Sequence, residues 1–399
     1  MSELKGSNLH DIRSRNRALI LKLVATEKHM SRADIATRTG LTKTTIGNVV
    51  ADLIAEGIIY ESQLDIAENG MGRKPIYLDI SKQSPCVCGM LVRRDILSVI
   101  FADFKGKILL QEDYECKHSM NGDKLVEILL GLYRKLAKSF TRKIIAIGIA
   151  SLGPVDIVKQ ELTNPPDFYG IFDLPLPKII SQETGLPALI IHDASAGALA
   201  EKVYGMAKDL QDFIYVHMGK GIGAGFILNH QVYNGTFGKS GEIGHTSINF
   251  AGPLCHCGNV GCLEMYANIA AINAKISHLQ KIYQYEALSD NDQSHSWTEI
   301  LKAAEERNFL ALSALDEYCT YTSRALANAT TLFDINHIIV GYDSPPDETI
   351  VVKMLSEKLN DTLITTQITV EKSSFGNSAP LIGSVALITN QLFKGDWKF

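Results

Sequence analysis

No segment of the sequence approaches the ~18 consecutive apolar residues that a bilayer-crossing helix needs. The opening residues, Met1 to Ser7, lack the apolar stretch of a secretory signal. A soluble, cytoplasmic protein with no membrane partner is expected. Cysteine is sparse and uneven: the seven, at 86, 88, 116, 255, 257, 262 and 319, do not form the regular framework of a disulfide-stapled secreted domain. Nothing matches a Walker loop with its terminal Lys-Ser or Lys-Thr. Positive charge is not in excess either; the net formal charge of −5 argues against nucleic acid if the chain is taken as one body. With 46% hydrophobic and 21% charged residues, wholesale disorder and fibrous architectures are excluded as well.

What is present begins with an uneven charge. At 399 residues the chain can hold two or three domains. Residues 1–84 carry 12 basic against 10 acidic side chains and the remainder 27 against 34, so the sign favours phosphate in the first segment alone. From Asn8 to about Lys28, apolar Leu9, Ile12, Ala18, Leu19, Leu21, Leu23 and Val24 alternate with Arg13, Arg15, Arg17 and Lys22, the pattern of an amphipathic helix with a basic outer face. Ser31, with Asp34 three positions on, caps a short helix that Gly40 ends. Thr42 caps a third, running to about Glu56, whose inward stripe is Ile46, Val49, Val50 and Leu53. Thr42, Lys43, Thr44, Thr45 and Asn48 then project near its N-terminus, where a recognition helix reads a major groove. Ile58 to Tyr60 and Pro75 to Leu78 flank a glycine-rich tip, a wing on which Arg73 and Lys74 are candidates for phosphate or minor-groove contact. Each element alone is common, and a polar helix face is often merely solvated; the ordered succession points to a winged helix-turn-helix over residues 1–84 and a double-stranded DNA partner.

From residue 85 the pattern becomes α/β. Apolar runs of strand type occur at 87–92, 97–101, 107–110, 144–150, 188–191, 213–217 and 337–340, with a helical stretch at 121–140. Gly219-Lys220-Gly221-Ile222-Gly223-Ala224-Gly225 reads as a glycine hairpin between two strands, whose amides could face an anion or a sugar but which is more often a tight connection.

The most specific feature lies between His245 and Glu264. Cys255, Cys257 and Cys262 offer three thiolates at glycine-bearing spacings, and His245 or His256 offers the imidazole that closes a tetrahedral Zn²⁺ site. Four protein ligands leave no coordination position for water, so one structural zinc per chain is expected, holding His245 and Glu264 side by side.

These residues resemble the ROK family (repressor, open reading frame, kinase), in particular its NagC/XylR-type transcriptional repressors. The resemblance spans nearly the whole chain: the Gly72 to Pro75 wing, the 219–225 glycines, and Gly241-Glu242-Ile243-Gly244-His245 followed by the Cys-x-Cys-Gly-x-x-Gly-Cys-x-Glu run at 255–264. It implies a two-lobed actin, sugar kinase and Hsp70-like domain over residues 85–399, with zinc on His245, Cys255, Cys257 and Cys262, so that His256 drops out. It also implies a sugar or sugar phosphate held by Asn164, Asp193, Glu242, His245 and Glu264, whose amide, carboxylates and imidazole suit vicinal hydroxyls. Read alone, Asn164 before two prolines is as well explained as a turn residue, and Asp193 as a cap of the helix that follows.

Kinases of this family carry an Asp-x-Gly-Gly-Thr-like phosphate loop on the first strand. Here the corresponding stretch has Leu91 where the Asp would stand, and Arg93 and Arg94 where glycines admit ATP phosphates. Val340-Gly341-Tyr342-Asp343 offers one glycine where kinases have a pair. Asp193 is therefore a vestigial base position, and the expectation is a sugar-responsive repressor of carbohydrate uptake or catabolism genes rather than an enzyme. It would bind an inverted-repeat operator as a homodimer or tetramer. The alternatives are a bifunctional sugar kinase with a DNA-binding head, or a sugar sensor working through a protein partner.

Overall fold

The computed structural model describes residues 9–62, 75–117, 119–165, 168–284, 294–342, 348–363 and 366–396. The chain opens with α1 (Leu9–Thr26), a short strand β1 (Met30–Ser31), α2 (Arg32–Thr39) and α3 (Lys43–Ala55). Ser31 forms a reciprocal capping box with Asp34, and the chain leaves α2 through a left-handed Gly40. Thr42 caps α3 by accepting the Thr45 amide, and Ile46, Val49, Val50 and Leu53 are buried. The apolar face of α1 differs from the sequence expectation. Ala18, Ile20, Leu21, Val24 and Ala25 are buried, whereas Ile12 and Leu19, seven apart and so on one shared face, are exposed. The arginines explain the rotation: Arg13 reaches Asp52 at 2.6 Å and Arg17 grips Glu56 with both nitrogens, so part of the basic face is spent on α3.

β2 (Ile59–Ser62) and β3 (Tyr77–Ile80) pair antiparallel, as a wing should, with β1 on the other side of β3. The expected tip, with Arg73 and Lys74, lies outside the described residues.

The rest is one unit laid down twice. β4 (Cys86–Val92), β5 (Ile96–Ala102) and β6 (Ile108–Glu115) form a meander; α4 (Gly122–Ala137) leads to β7 (Ile144–Ser151). The small hairpin of β8 (Val155–Asp156) and β9 (Glu161–Leu162) and then α5 (Leu176–Thr184) lead to β10 (Ala188–His192) and α6 (Asp193–Val203). The sheet order is β10-β7-β4-β5-β6, parallel through β4 and antiparallel beyond it. β11 (Phe213–Met218), β12 (Ile222–Leu228) and β13 (Gln231–Tyr233) repeat the meander. After α7 (Ile269–Tyr283), α8 (Trp297–Glu305) and α9 (Phe309–Phe333) come β14 (His337–Tyr342), α10 (Ile350–Thr362), β15 (Thr369–Lys372) and α11 (Ala379–Lys394). The second order, β13-β12-β11-β14-β15, matches the first strand for strand. α6 and α11, the last helices of the two units, pack on each other between the sheets. Coverage from both sides is why β4 and β7 read as unbroken apolar runs.

β6 extends to Glu115, five residues beyond the apolar run at 107–110, because its outer half is a solvated edge that continuous hydrophobicity cannot reveal. The glycine segment is also corrected. The turn is confined to residues 219–221, and Gly223 and Gly225 lie inside β12. A Cβ on Gly225 would stand 2.3 Å from the Ala194 carbonyl oxygen, so that glycine lets α6 settle on the strand.

The helical head is built into the first lobe. Leu392 and Phe393 of α11 join Ile20, Leu21 and Val24 of α1 in one apolar cluster. Lys208 Nζ donates to the Thr26 carbonyl at the end of α1. Between β3 and β4, Ser84 is fully buried, and Arg142 donates to its carbonyl at 2.8 Å and to its hydroxyl at 2.9 Å.

Candidate effector cleft, metal cluster and DNA-facing helix

A cavity of about 310 Å³ opens between the lobes, walled by the ends of β4 and β11, the 219–221 turn, the start of α6, and the segments around Glu242 and Glu264. Asp193, Glu242, His245 and Glu264 all line it. Asn164 does not: it is exposed on the loop after β9 and is absent from the cavity wall. One Asp193 oxygen, Oδ1, accepts the Ala194 amide at 2.7 Å and lies 3.3 Å from His192 Nε2. His192 Nε2 is also 3.8 Å from Glu242 Oε1, so the ring lies beside both carboxylates. Glu264 Oε2 accepts the Ile222 amide at 3.4 Å. Carboxylates held in this way present their remaining lone pairs to donors such as sugar hydroxyls.

The opposite wall was not foreseen in this form. Arg93, expected as an obstruction, makes specific contacts: Nη2 is 2.7 Å from His217 Nε2, Nη1 donates to Asn377 Oδ1 at 2.8 Å, and Nε lies 3.9 Å from Asp193 Oδ2. Burial, and then the Arg93 charge, hold the His217 pKa well below the usual histidine range, so the imidazole is neutral and its Nε2 accepts from Arg93. Trp297 and Lys220 also line the cavity. His217, Asn377 and Trp297 had no sequence signal, because each is placed by tertiary structure rather than by local spacing.

Below the cleft, His245, Cys255, Cys257 and Cys262 bring one ligand atom each to within 4.8 Å of one another. Cys257 Sγ and Cys262 Sγ are 3.6 Å apart, close to the edge of about 3.8 Å for a tetrahedron with metal–sulfur bonds of ~2.3 Å. His245 turns Nδ1 toward Cys255 Sγ at 3.6 Å. His256 is not part of the group. Left-handed turns at Gly258 and Gly261 wrap the loop, and bridges between Ser247 and Cys262 and between Leu254 and Val260 hold it. Burial, with the sulfurs of Cys257 and Cys255 adding to it, pushes the Cys262 thiol up to about 12. Three thiols in contact cannot all ionise without a cation among them, so the donor set suits a metal ion.

On α3, Thr42, Lys43, Thr44 and Asn48 are exposed and Thr45 is half-buried. The Thr42 and Thr45 hydroxyls lie 2.9 Å apart and steady each other at the helix start. No helix among the described residues is long and apolar enough to cross a membrane.

A two-lobed sugar-kinase-like body carrying a winged-helix head is thus the class that fold and site define. A family profile described as the ROK family matches residues 92–391, and the chain belongs to that family. It is 28% identical over 391 residues to a xylose repressor of Caldicellulosiruptor bescii, covering 94% of this chain and 96% of the relative. A solved ROK family transcriptional regulator, described as a homolog of the Escherichia coli MLC protein, superposes with a TM-score of 0.77 at 25% identity, covering 96% of this chain and 97% of its own. A ROK family glucokinase from Streptomyces griseus, solved with glucose and AMPPNP, shares the fold with a TM-score of 0.69 at 24% identity; 98% of it is matched by 76% of this chain.

Proposed function

We propose that the chain is a sugar-responsive, DNA-binding repressor of carbohydrate uptake or catabolism genes. It acts in the cytoplasm as a homodimer or tetramer on an inverted-repeat operator. In this reading residues 1–84 are the DNA-binding domain and 85–399 the sensor. The carrying observation is a cleft whose carboxylate wall is intact while an arginine fills its other side, in a chain whose N-terminal segment presents Thr42, Lys43, Thr44 and Asn48 exposed at the start of α3. Similarity to a regulator over 96% of the chain, against 76% for a kinase, supports the same reading.

Asp193, Glu242, His245 and Glu264 would hold the hydroxyls of a sugar or sugar phosphate; Asn164, outside the cavity, is left out of that set. Thr42, Lys43, Thr44, Thr45 and Asn48 would meet the major groove, with Arg73 and Lys74 on the wing. Zinc would be held by His245, Cys255, Cys257 and Cys262. With all four positions taken by protein, it would supply rigidity and not hydrolysis. Loss of kinase chemistry is supported by Leu91, buried in the β4 layer where a magnesium-organising carboxylate would be needed, and by Arg93, which faces the vestigial base Asp193.

The test uses one preparation. A thermal-shift panel of sugars and sugar phosphates led by D-xylose, the sugar in a relative's name, should find a ligand that stabilises by roughly 2.7 kcal/mol at ~100 times its dissociation constant. The same ligand should change operator affinity. Sugar-dependent ATP turnover of about 1 s⁻¹ or faster would overturn the repressor-only reading in favour of a bifunctional kinase with a DNA-binding head.

A further inference from the structure

Arg93 starts at the end of β4, in the first lobe, and touches three other elements. His217 belongs to β11 of the second lobe, and Asn377 to the turn by which the chain crosses back into α11. Asp193 opens α6. The guanidinium is a planar fork with fixed donor directions, so it can serve several acceptors only while they keep their spacing. Side-chain exposure of 13% for Arg93 and 15% for Asp193 leaves little water to replace a lost partner.

The two oxygens of Asp193 are not equivalent. Oδ1 is occupied by the Ala194 amide and stands beside His192, whereas Oδ2 faces Arg93 Nε. A hydroxyl arriving from the cavity meets Oδ2 as the less occupied acceptor, and a hydrogen bond there draws the carboxylate away from its 3.9 Å ion pair with Arg93 Nε. We propose that Arg93 is an interlobe latch: a positioning residue that fixes Asp193 and the α11 crossover and loosens when a sugar hydroxyl engages Asp193. The far end of α11 lies against α1, since a Cβ built on Gly395 would be 3.6 Å from that of Ala18. The latch thus joins the cleft to the body on which the DNA-binding head is mounted. The release step rests on the regulator reading; the latch does not.

Hydrogen exchange on the ligand-free protein decides the latch. Arg93→Ala, Asp193→Asn and Asn377→Ala should each raise exchange several-fold at residues 216–221 and 374–379, with α4 and β6 unchanged. Arg93→Lys, which keeps the charge but not the fork, should restore protection only in part. Asn377 is exposed, so its variant keeps a folded protein even if Arg93→Ala does not. Wild-type exchange at both segments in Arg93→Ala and Asn377→Ala overturns the proposal. Release is read from operator affinity at saturating D-xylose, where reduced sugar affinity is out-titrated. The wild-type shift should fall to less than a third in Asn377→Ala, and an equal shift in both sinks the coupling. A wild type that ignores D-xylose overturns that sugar as effector, while the exchange comparison still judges the latch.

Discussion

Asp34 shows how much one short polar side chain can reveal about its surroundings. Its carboxylate is held below the ordinary range, chiefly by the Ser31 hydroxyl at 2.6 Å and then by the Ser31 amide at 2.9 Å. A depressed folded pKa contributes stability that is present above the unfolded value of ~3.9 and disappears as pH falls through the folded value. Asp34→Ala should therefore cost about 0.3–1.5 kcal/mol near neutral pH, and the gap should close on acidification below the ordinary carboxylate range. Urea unfolding across that range checks it; a gap of constant size would mean the ionised cap is not the cause. This box was legible in the sequence because cap and partner are three residues apart. Arg93 and His217, 124 residues apart, carry no such local mark, and Asn164, given a role by motif alone, stands outside the cavity.

At the level of elements, legibility followed burial. Strands covered on both faces announced themselves as apolar runs, while the solvated half of β6 did not, and the glycines of β12 looked like a turn because their role is to admit α6. The cysteine loop at 255–262 was the clearest element of all, since its donor spacing is written in consecutive residues and His245 sits close by. Cys257 is exposed whereas Cys255 and Cys262 are buried, so Cys257→Ser removes a donor without opening a cavity. It should lower Tm by roughly 5 °C or more and weaken sugar binding together with it, because His245 and Glu264 lose a common anchor. Elemental analysis should give about one zinc per chain for the wild type; far less would refute the metal assignment.

For the whole molecule, the order of elements announced an α/β body with a helical head, but not its duplication. The second meander is separated from its closing strands by residues 234–336, which hold the cysteine loop and α7–α9 and hide the repeat from view. The head allows a prediction at this scale. Lys43→Ala should weaken operator binding and reduce the slope of affinity against salt by about one unit, with sugar binding intact. Arg13→Ala should act on stability instead, since that arginine already holds Asp52. Gel shifts across a salt series separate the two, and an unaltered slope for Lys43→Ala would remove α3 as the contact.

The junction at Ser84 has a consequence for the spelling of the target. A head on a floppy tether could swivel to follow its half-site around the duplex, but this one is bolted to its lobe through Ser84, Arg142 and the end of α11. Each base pair inserted between half-sites turns the second one by about 35° around the helix axis. Two such chains fixed to one another would therefore demand a set torsional phase, and would tolerate a whole added turn of DNA better than half of one.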